Sequence, residues 1–195
     1  MDAVSRQRAV TPLLRHLPNF LTALRLFAAP LTAWCILNDK DVAALCVFAF
    51  AGLSDALDGY LARRLSPGSR FGIYLDPAAD KVLMLASFVT LTMIGVVPLW
   101  LTVLVIGRDL AIVAGVALAW MFSLPVQVAP LNIGKASTVV QVAFIGLVLL
   151  LLALGIDQLN VVLAGALAAG AVTVASWLAY AQVLIKALML GRRTA

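Results

Sequence analysis

Six long apolar stretches alternate with short polar breaks along the chain, at about residues 19–37, 42–62, 72–95, 98–122, 137–156 and 159–190. None shows the strict period-two alternation of a half-buried strand. Each of the first five approaches the ~20 residues that a helix needs to cross ~30 Å of hydrocarbon, and the last includes an interfacial end. Hydrocarbon offers no partner to a backbone N–H or C=O, so such runs become helices. The predicted fold is all-α: a polytopic membrane protein with six transmembrane helices. Ahead of them, residues 1–17 carry Arg6, Arg8, Arg15 and His16 among apolar residues, with Pro18 next. No small-residue cleavage site follows an apolar core there, so a basic amphipathic segment on the membrane surface is expected rather than a removed signal. A disordered basic tail is the alternative. Residues 18–195 then form a single six-helix domain, without linker or repeat.

Composition agrees with this reading. The 195 residues are 64% hydrophobic and 12% charged, more apolar than the core of a soluble domain requires. If the N-terminus is cytoplasmic, the inner loops and ends collect Arg6, Arg8, Arg15, Arg63, Arg64, Arg70, Lys81, Lys135, Lys186, Arg192 and Arg193. The outer loops keep Lys40, beside Asp39 and Asp41, and then Asp157. That is the positive-inside pattern. The pI of about 9.7 therefore reports topology and contact with anionic membrane lipids, and no nucleic-acid partner is expected. Cys35 and Cys46 sit in apolar runs without metal-ligand spacing or a disulfide framework. Trp34, Trp100, Trp120 and Trp177 are expected as interfacial anchors.

The chemistry concentrates in four aspartates. Asp55 and Asp58 share one helical face with Gly59 and Ala62, at i, i+3, i+4 and i+7. Gly72, Asp76 and Asp80 share another, at i, i+4 and i+8. Ser66-Pro67-Gly68-Ser69 between them is turn chemistry, so the two helices are expected as antiparallel neighbours meeting at the cytoplasmic surface. Carboxylates at membrane helix ends are costly and repel one another, and four together call for divalent metal. All-oxygen ligation favours Mg²⁺ or Mn²⁺, and two ions sharing carboxylates suit phosphoryl transfer. All nine acidic residues are Asp and the one His is in the N-terminal segment, so a general base within the membrane site would be an aspartate. Gly59 and Ala62 either let a nucleotide lie against the backbone or pack helices closely.

Other polar residues interrupt the apolar runs. Arg108 and Asp109 fall inside the fourth, where adjacent side chains point ~100° apart and are not expected to pair. Arg108 either grips a substrate phosphate or staples helices. Lys135 precedes the fifth run, with Thr138 and Gln141 after it, a candidate phosphate site. Asn19, Thr22 and Arg25 recur at i, i+3 and i+6 after Pro18, facing the same cavity or serving as caps and headgroup anchors.

The series Asp55-x2-Asp58-Gly59-x2-Ala62-Arg63-x8-Gly72-x3-Asp76-x3-Asp80 resembles, position for position, the signature of the CDP-alcohol phosphotransferases. Pro18-Asn19-Phe20-Leu21-Thr22-x2-Arg25, the six-helix plan and the chain length fit the same family. The resemblance implies a membrane enzyme, usually a homodimer, with a polar cavity facing the cytoplasm. It would move the phosphatidyl group of CDP-diacylglycerol onto an alcohol and release CMP. By the same resemblance, Asp55, Asp58, Asp76 and Asp80 hold metal and Asp80 is also the general base. Asn19, Thr22, Asp55, Gly59, Ala62, Arg63 and Gly72 lie on the CDP side. Arg108 and Lys135 resemble acceptor-site positions of the branch that makes phosphatidylglycerophosphate and cardiolipin. Asp109 is similar to the cardiolipin synthases and Gly134-Lys135 to the phosphatidylglycerophosphate synthases, so glycerol 3-phosphate and phosphatidylglycerol both stay open as acceptors, with inositol phosphate less favoured. Two competing classes are a divalent cation transporter lined by the aspartates and a non-catalytic assembly subunit. The first would show its charges at the midplane and in broken helices, neither of which the sequence suggests.

Overall fold

The computed structural model describes the backbone over residues 12–65, 72–121 and 132–191, and side chains over 23–54, 81–115, 121, 132–183 and 185. Six helices carry these residues, and no strand occurs among them: α1 Pro12–Leu37, α2 Asp41–Leu65, α3 Gly72–Met93, α4 Leu99–Met121, α5 Asn132–Ala153 and α6 Leu159–Gly191. Each apolar stretch of the sequence is thus one helix. α1 begins at Pro12, a residue suited to the first helical turn, and continues past Pro18, where the interfacial segment was expected to end. A proline there removes one ladder donor without ending the helix. Among the described residues, two helical segments are long and apolar enough to cross a membrane, Asn132–Ala153 and Leu159–Val183. The described apolar parts of the first three helices, Ala23–Leu37, Asp41–Ser54 and Lys81–Met93, are shorter.

Three described connections use one device. Asp39, Gly95 and Gly155 take positive φ, at 54°, 80° and 64°. Around each, two amide donors reach back to carbonyls of the preceding helix. Lys40 N bonds Cys35 O and Asp39 N bonds Ile36 O; Val96 N bonds Leu91 O and Gly95 N bonds Thr92 O; Ile156 N bonds Leu151 O and Gly155 N bonds Leu152 O. These paired bonds satisfy carbonyls that a helix end would otherwise leave open. The left-handed residue turns the chain within three to five residues, and within each unit it sets α1 and α2, and α5 and α6, antiparallel. Beside the first turn, the Lys40 ammonium lies 4.2 Å from the centroid of the Trp34 ring, and Asn38 Nδ2 donates to Trp34 O at 2.7 Å.

The chain falls into two compact units, Met1–Thr90 and Leu91–Ala195. In the first, α1 packs on α2. The buried face of α1 is Arg25, Ala28, Ala29, Thr32, Cys35 and Ile36, and that of α2 is Ala44, Phe48, Ala51 and Ser54. The alanines on both faces let the two backbones approach closely. Buried Ser54, Ser87 and Thr90 return their hydroxyls to carbonyls one turn back, at 2.8, 2.9 and 2.6 Å.

In the second unit α6 is central, packed on both α4 and α5. Its glycines decide the approach. A Cβ on Gly165 would stand 2.9 Å from the Phe144 ring, and one on Gly170 would stand 2.8 Å from the Trp100 ring. The rings of α5 and α4 therefore sit against bare backbone. Trp100 meets Gly170 and Trp177 faces Gly107, so α4 and α6 run parallel. Phe144 with Gly165, and Ser137 with Thr173, make α5 antiparallel to α6. Outward, the helices present Leu110, Val113, Val139, Leu167 and Leu178, each at least 60% exposed. An outward apolar surface of this kind marks contact with a membrane or a partner.

Asp39 tests the turn chemistry. Asp39→Val should lower stability by about 1–2 kcal/mol because a β-branched residue resists the left-handed region, whereas Asp39→Gly should match or exceed the parent. Thermal unfolding in detergent would show the order; equal midpoints for both variants would mean that this φ is not a constraint.

Candidate active site

The helices carry the aspartate positions as the spacing requires. α2 is continuous through Leu65, so Asp55 and Asp58 fall within one turn of each other near its C-terminal end. α3 begins at Gly72, which puts Asp76 and Asp80 one turn apart near its start. An all-carboxylate set at this helical spacing would suit a hard divalent cation. The side chains of Asp55, Asp58, Asp76 and Asp80 lie outside the described residues, as do those of Asn19, Thr22, Ala62 and Arg63 and the surroundings of Gly59 and Gly72.

Arg25 is 1% exposed on the packed face of α1. This places the third member of the Asn19–Thr22–Arg25 series inside the first unit rather than out among lipid headgroups.

In the second unit a guanidinium organises the polar interior. Arg108 of α4 is 4% exposed. Its Nε and Nη2 both donate to Ser176 Oγ of α6, at 3.3 and 3.0 Å. Nη2 also donates to Gly134 O of α5 at 3.4 Å. The Tyr180 ring, one turn beyond Ser176, stands 5.7 Å from the guanidinium carbon. One cation thus joins three helices. Against the sequence expectation, Arg108 also pairs with its neighbour: Nη1 donates to Asp109 Oδ1 at 2.7 Å. The ~100° between adjacent residues describes where side chains leave the helix. An arginine is long enough to turn back across that angle.

Gly134 makes the cluster possible. A Cβ on it would meet Tyr180 Oη at 2.8 Å and Arg108 Nη2 at 3.1 Å. α5 starts at Asn132, five residues before the apolar run, so Gly134 and the exposed Lys135 belong to its first turn instead of preceding it. Arg108, which interrupts an apolar run in sequence, is therefore level with the start of α5. Beyond it, Gln141 Nε2 donates to Thr173 Oγ1 at 2.9 Å and to Ser137 Oγ at 3.2 Å. Thr173 Oγ1 in turn donates to Ala169 O at 2.7 Å. Sequence reasoning did not single out Ser176 and Tyr180. Their signal was a polar stripe, Thr173, Ser176 and Tyr180, at i, i+3 and i+7 of an otherwise apolar run.

A family model described as CDP-alcohol phosphatidyltransferase matches residues 15–189. Among curated proteins, the chain is 37% identical over 158 residues to a cardiolipin synthase (CMP-forming)/mitochondrial hydrolase fusion protein of Schizosaccharomyces pombe, covering 73% of this chain and 27% of that protein. It is 41% identical over 112 residues to cardiolipin synthase (CMP-forming) of Streptomyces coelicolor, covering 54% and 52%. With a chloroplastic CDP-diacylglycerol–glycerol-3-phosphate 3-phosphatidyltransferase of Oryza sativa it shares 32% identity over 180 residues, 84% of this chain and 52% of the relative. The chain thus spans about half or less of the length of these relatives.

The crowding at Gly134 is open to test. Gly134→Ala should cost about 1 kcal/mol of stability, overpacking outweighing the better helix propensity of alanine. The loss should shrink in a Tyr180→Phe background, which removes the oxygen that the new methyl meets. Equal losses in both backgrounds, by thermal unfolding in detergent, would show that the phenol is not the obstacle.

Proposed function

Because the chain belongs to the CDP-alcohol phosphatidyltransferase family, we propose that it is an integral-membrane enzyme that moves the phosphatidyl group of CDP-diacylglycerol onto a glycerol-type acceptor and releases CMP. The observation that carries this reading is the family match along residues 15–189, within which the four-aspartate series stands complete. Two acceptors have support. Phosphatidylglycerol, giving cardiolipin, is favoured by the cardiolipin synthases among the relatives and by Asp109. Glycerol 3-phosphate is favoured by the plant relative that matches the largest share of this chain of the three and by Gly134-Lys135.

Asp55, Asp58, Asp76 and Asp80 are the residues that would hold Mg²⁺ or Mn²⁺, as two ions. The metal would neutralise charge on the phosphate oxygens in the transition state. Asp80 takes the proton of the acceptor hydroxyl. The freed oxygen attacks the lipid-bearing phosphorus in line, the phosphorus–oxygen bond to CMP breaks, and CMP leaves as an anion. Asn19, Thr22, Asp55, Gly59, Ala62, Arg63 and Gly72 hold the CDP moiety, and Arg108 and Lys135 hold the acceptor's phosphate. The structure gives this role partial support: Arg108 is buried and fixed beside the first turn of α5, and Lys135 is exposed in that turn. In this reading all six helices span the membrane, the site faces the cytoplasm, and the protein is a homodimer. A cation-transport reading lacks comparable support and predicts no CMP.

The deciding measurement is CMP release from CDP-diacylglycerol by purified protein, with glycerol 3-phosphate, phosphatidylglycerol, inositol phosphate and serine offered in turn. We expect metal-dependent turnover with one of the two glycerol-type acceptors and loss of activity with a chelator. Asp80→Asn should fold and lose at least roughly a hundred-fold in kcat, the low end of what a general base contributes; full activity would refute the base assignment. Arg108→Ala should raise KM for the acceptor with that for CDP-diacylglycerol little changed. Equal weakening of both would move Arg108 to the donor side.

A further inference from the structure

We infer that Ser176 and Tyr180 of α6 are positioning residues for the Arg108 guanidinium, and that through it they set how well an anionic acceptor is held. The inference rests on the acceptor role proposed for Arg108 and goes beyond it by naming what aims the cation. A guanidinium has five N–H groups in a planar fork. Ser176 Oγ receives two of them, from Nε and Nη2. Gly134 O receives the second hydrogen of Nη2 and Asp109 one of Nη1. Among the described residues, the remaining Nη1 hydrogen has no protein acceptor. The fork is therefore held along one edge, with one Nη1 donor left over for a further acceptor.

The nature of the holding group matters. Ser176 is a neutral acceptor, fully buried with Arg108 between α4 and α6. It fixes the plane of the guanidinium without cancelling its charge, as a second carboxylate would. Tyr180 adds a ring at 5.7 Å, and its hydroxyl closes on Gly134 so tightly that no Cβ fits there. Ser176 and Tyr180 are one helical turn apart, so α6 brackets the cation from one side while the first turn of α5 limits it from another. An arginine with three methylenes has many rotamers to lose when it binds a phosphate. Here they are already lost.

The test is steady-state kinetics of the purified full chain with CDP-diacylglycerol and metal, using glycerol 3-phosphate and phosphatidylglycerol as acceptors. Ser176→Ala should raise the acceptor KM roughly ten-fold, as expected for removing a hydrogen bond to a charged group, with KM for CDP-diacylglycerol unchanged. Ser176→Thr, which keeps the hydroxyl, should restore most of it. In an Arg108→Ala background, Ser176→Ala should add nothing to the acceptor KM. If Ser176→Ala weakens donor and acceptor alike, or keeps its full effect without Arg108, Ser176 merely packs α6 and the inference fails. If Arg108→Ala leaves the acceptor KM unaltered, the role assigned to Arg108 falls first and this inference with it. Should Ser176→Ala not fold, Tyr180→Leu is expected to raise the acceptor KM and Tyr180→Phe to leave it near the parent value; identical values for the two would overturn the bracket.

Discussion

Hydrocarbon gives a polar group nothing to bond to, and most of what is distinctive in this chain follows from that. In water a guanidinium would sit on the surface and leucines would sit inside. Here Arg25, Thr32, Arg108, Ser137, Gln141, Thr173 and Ser176 are buried while many leucines and valines, such as Leu110, Val113, Val139 and Leu167, face outward. Each buried hydroxyl or amide with a described partner finds it one helical turn away or on the neighbouring helix. Arg108 is the extreme case, because a charge buried without partners would cost several kcal/mol. Two neighbouring helices, α5 and α6, and the carboxylate of Asp109 on α4 itself supply acceptors or a ring face.

The same demand connects packing to chemistry. Small residues let the helices close on one another: Gly134 under Arg108 and Tyr180, Gly165 under Phe144, Gly170 under Trp100. Where that approach leaves only apolar contacts, along Phe144, Ile145, Val148 and Leu149 of α5, the bundle is simply packed. Toward the start of α5 it holds the Arg108 cation, the hydroxyls of Ser137, Thr173 and Ser176, and the Gln141 amide instead. A cation immobilised in this way has already lost its rotamer freedom, which would lower the cost of binding an anion.

Much of this was legible in the sequence, and the misses have identifiable causes. Hydropathy located all six helices, because a run of about 20 apolar residues has few alternatives. It missed where α5 begins, since helix starts are set by backbone geometry and Asn132, Gly134 and Lys135 are not apolar. The register of Asp55 with Asp58 and of Asp76 with Asp80 could be read directly, because helical spacing is a property of one segment. The partners of Arg108 could not. Ser176 lies 68 residues away in the chain, and nothing local to either residue names the other. The Arg108–Asp109 pair was missed for another reason: spacing rules describe where side chains leave the helix, while a long side chain chooses its own end point.

α4 and α6 touch at two levels through a ring seated on a glycine or beside one, Trp100 on Gly170 and Trp177 near Gly107. Sliding one helix past the other by a single residue would drive the Trp100 indole against the Cβ of Ala169 or Ala171. The two helices are therefore keyed together, with Arg108 and Ser176 beside the second of those contacts. Displacement of that positive charge along the bundle would require both rods to shift in concert, so its level is set by construction rather than by side-chain choice.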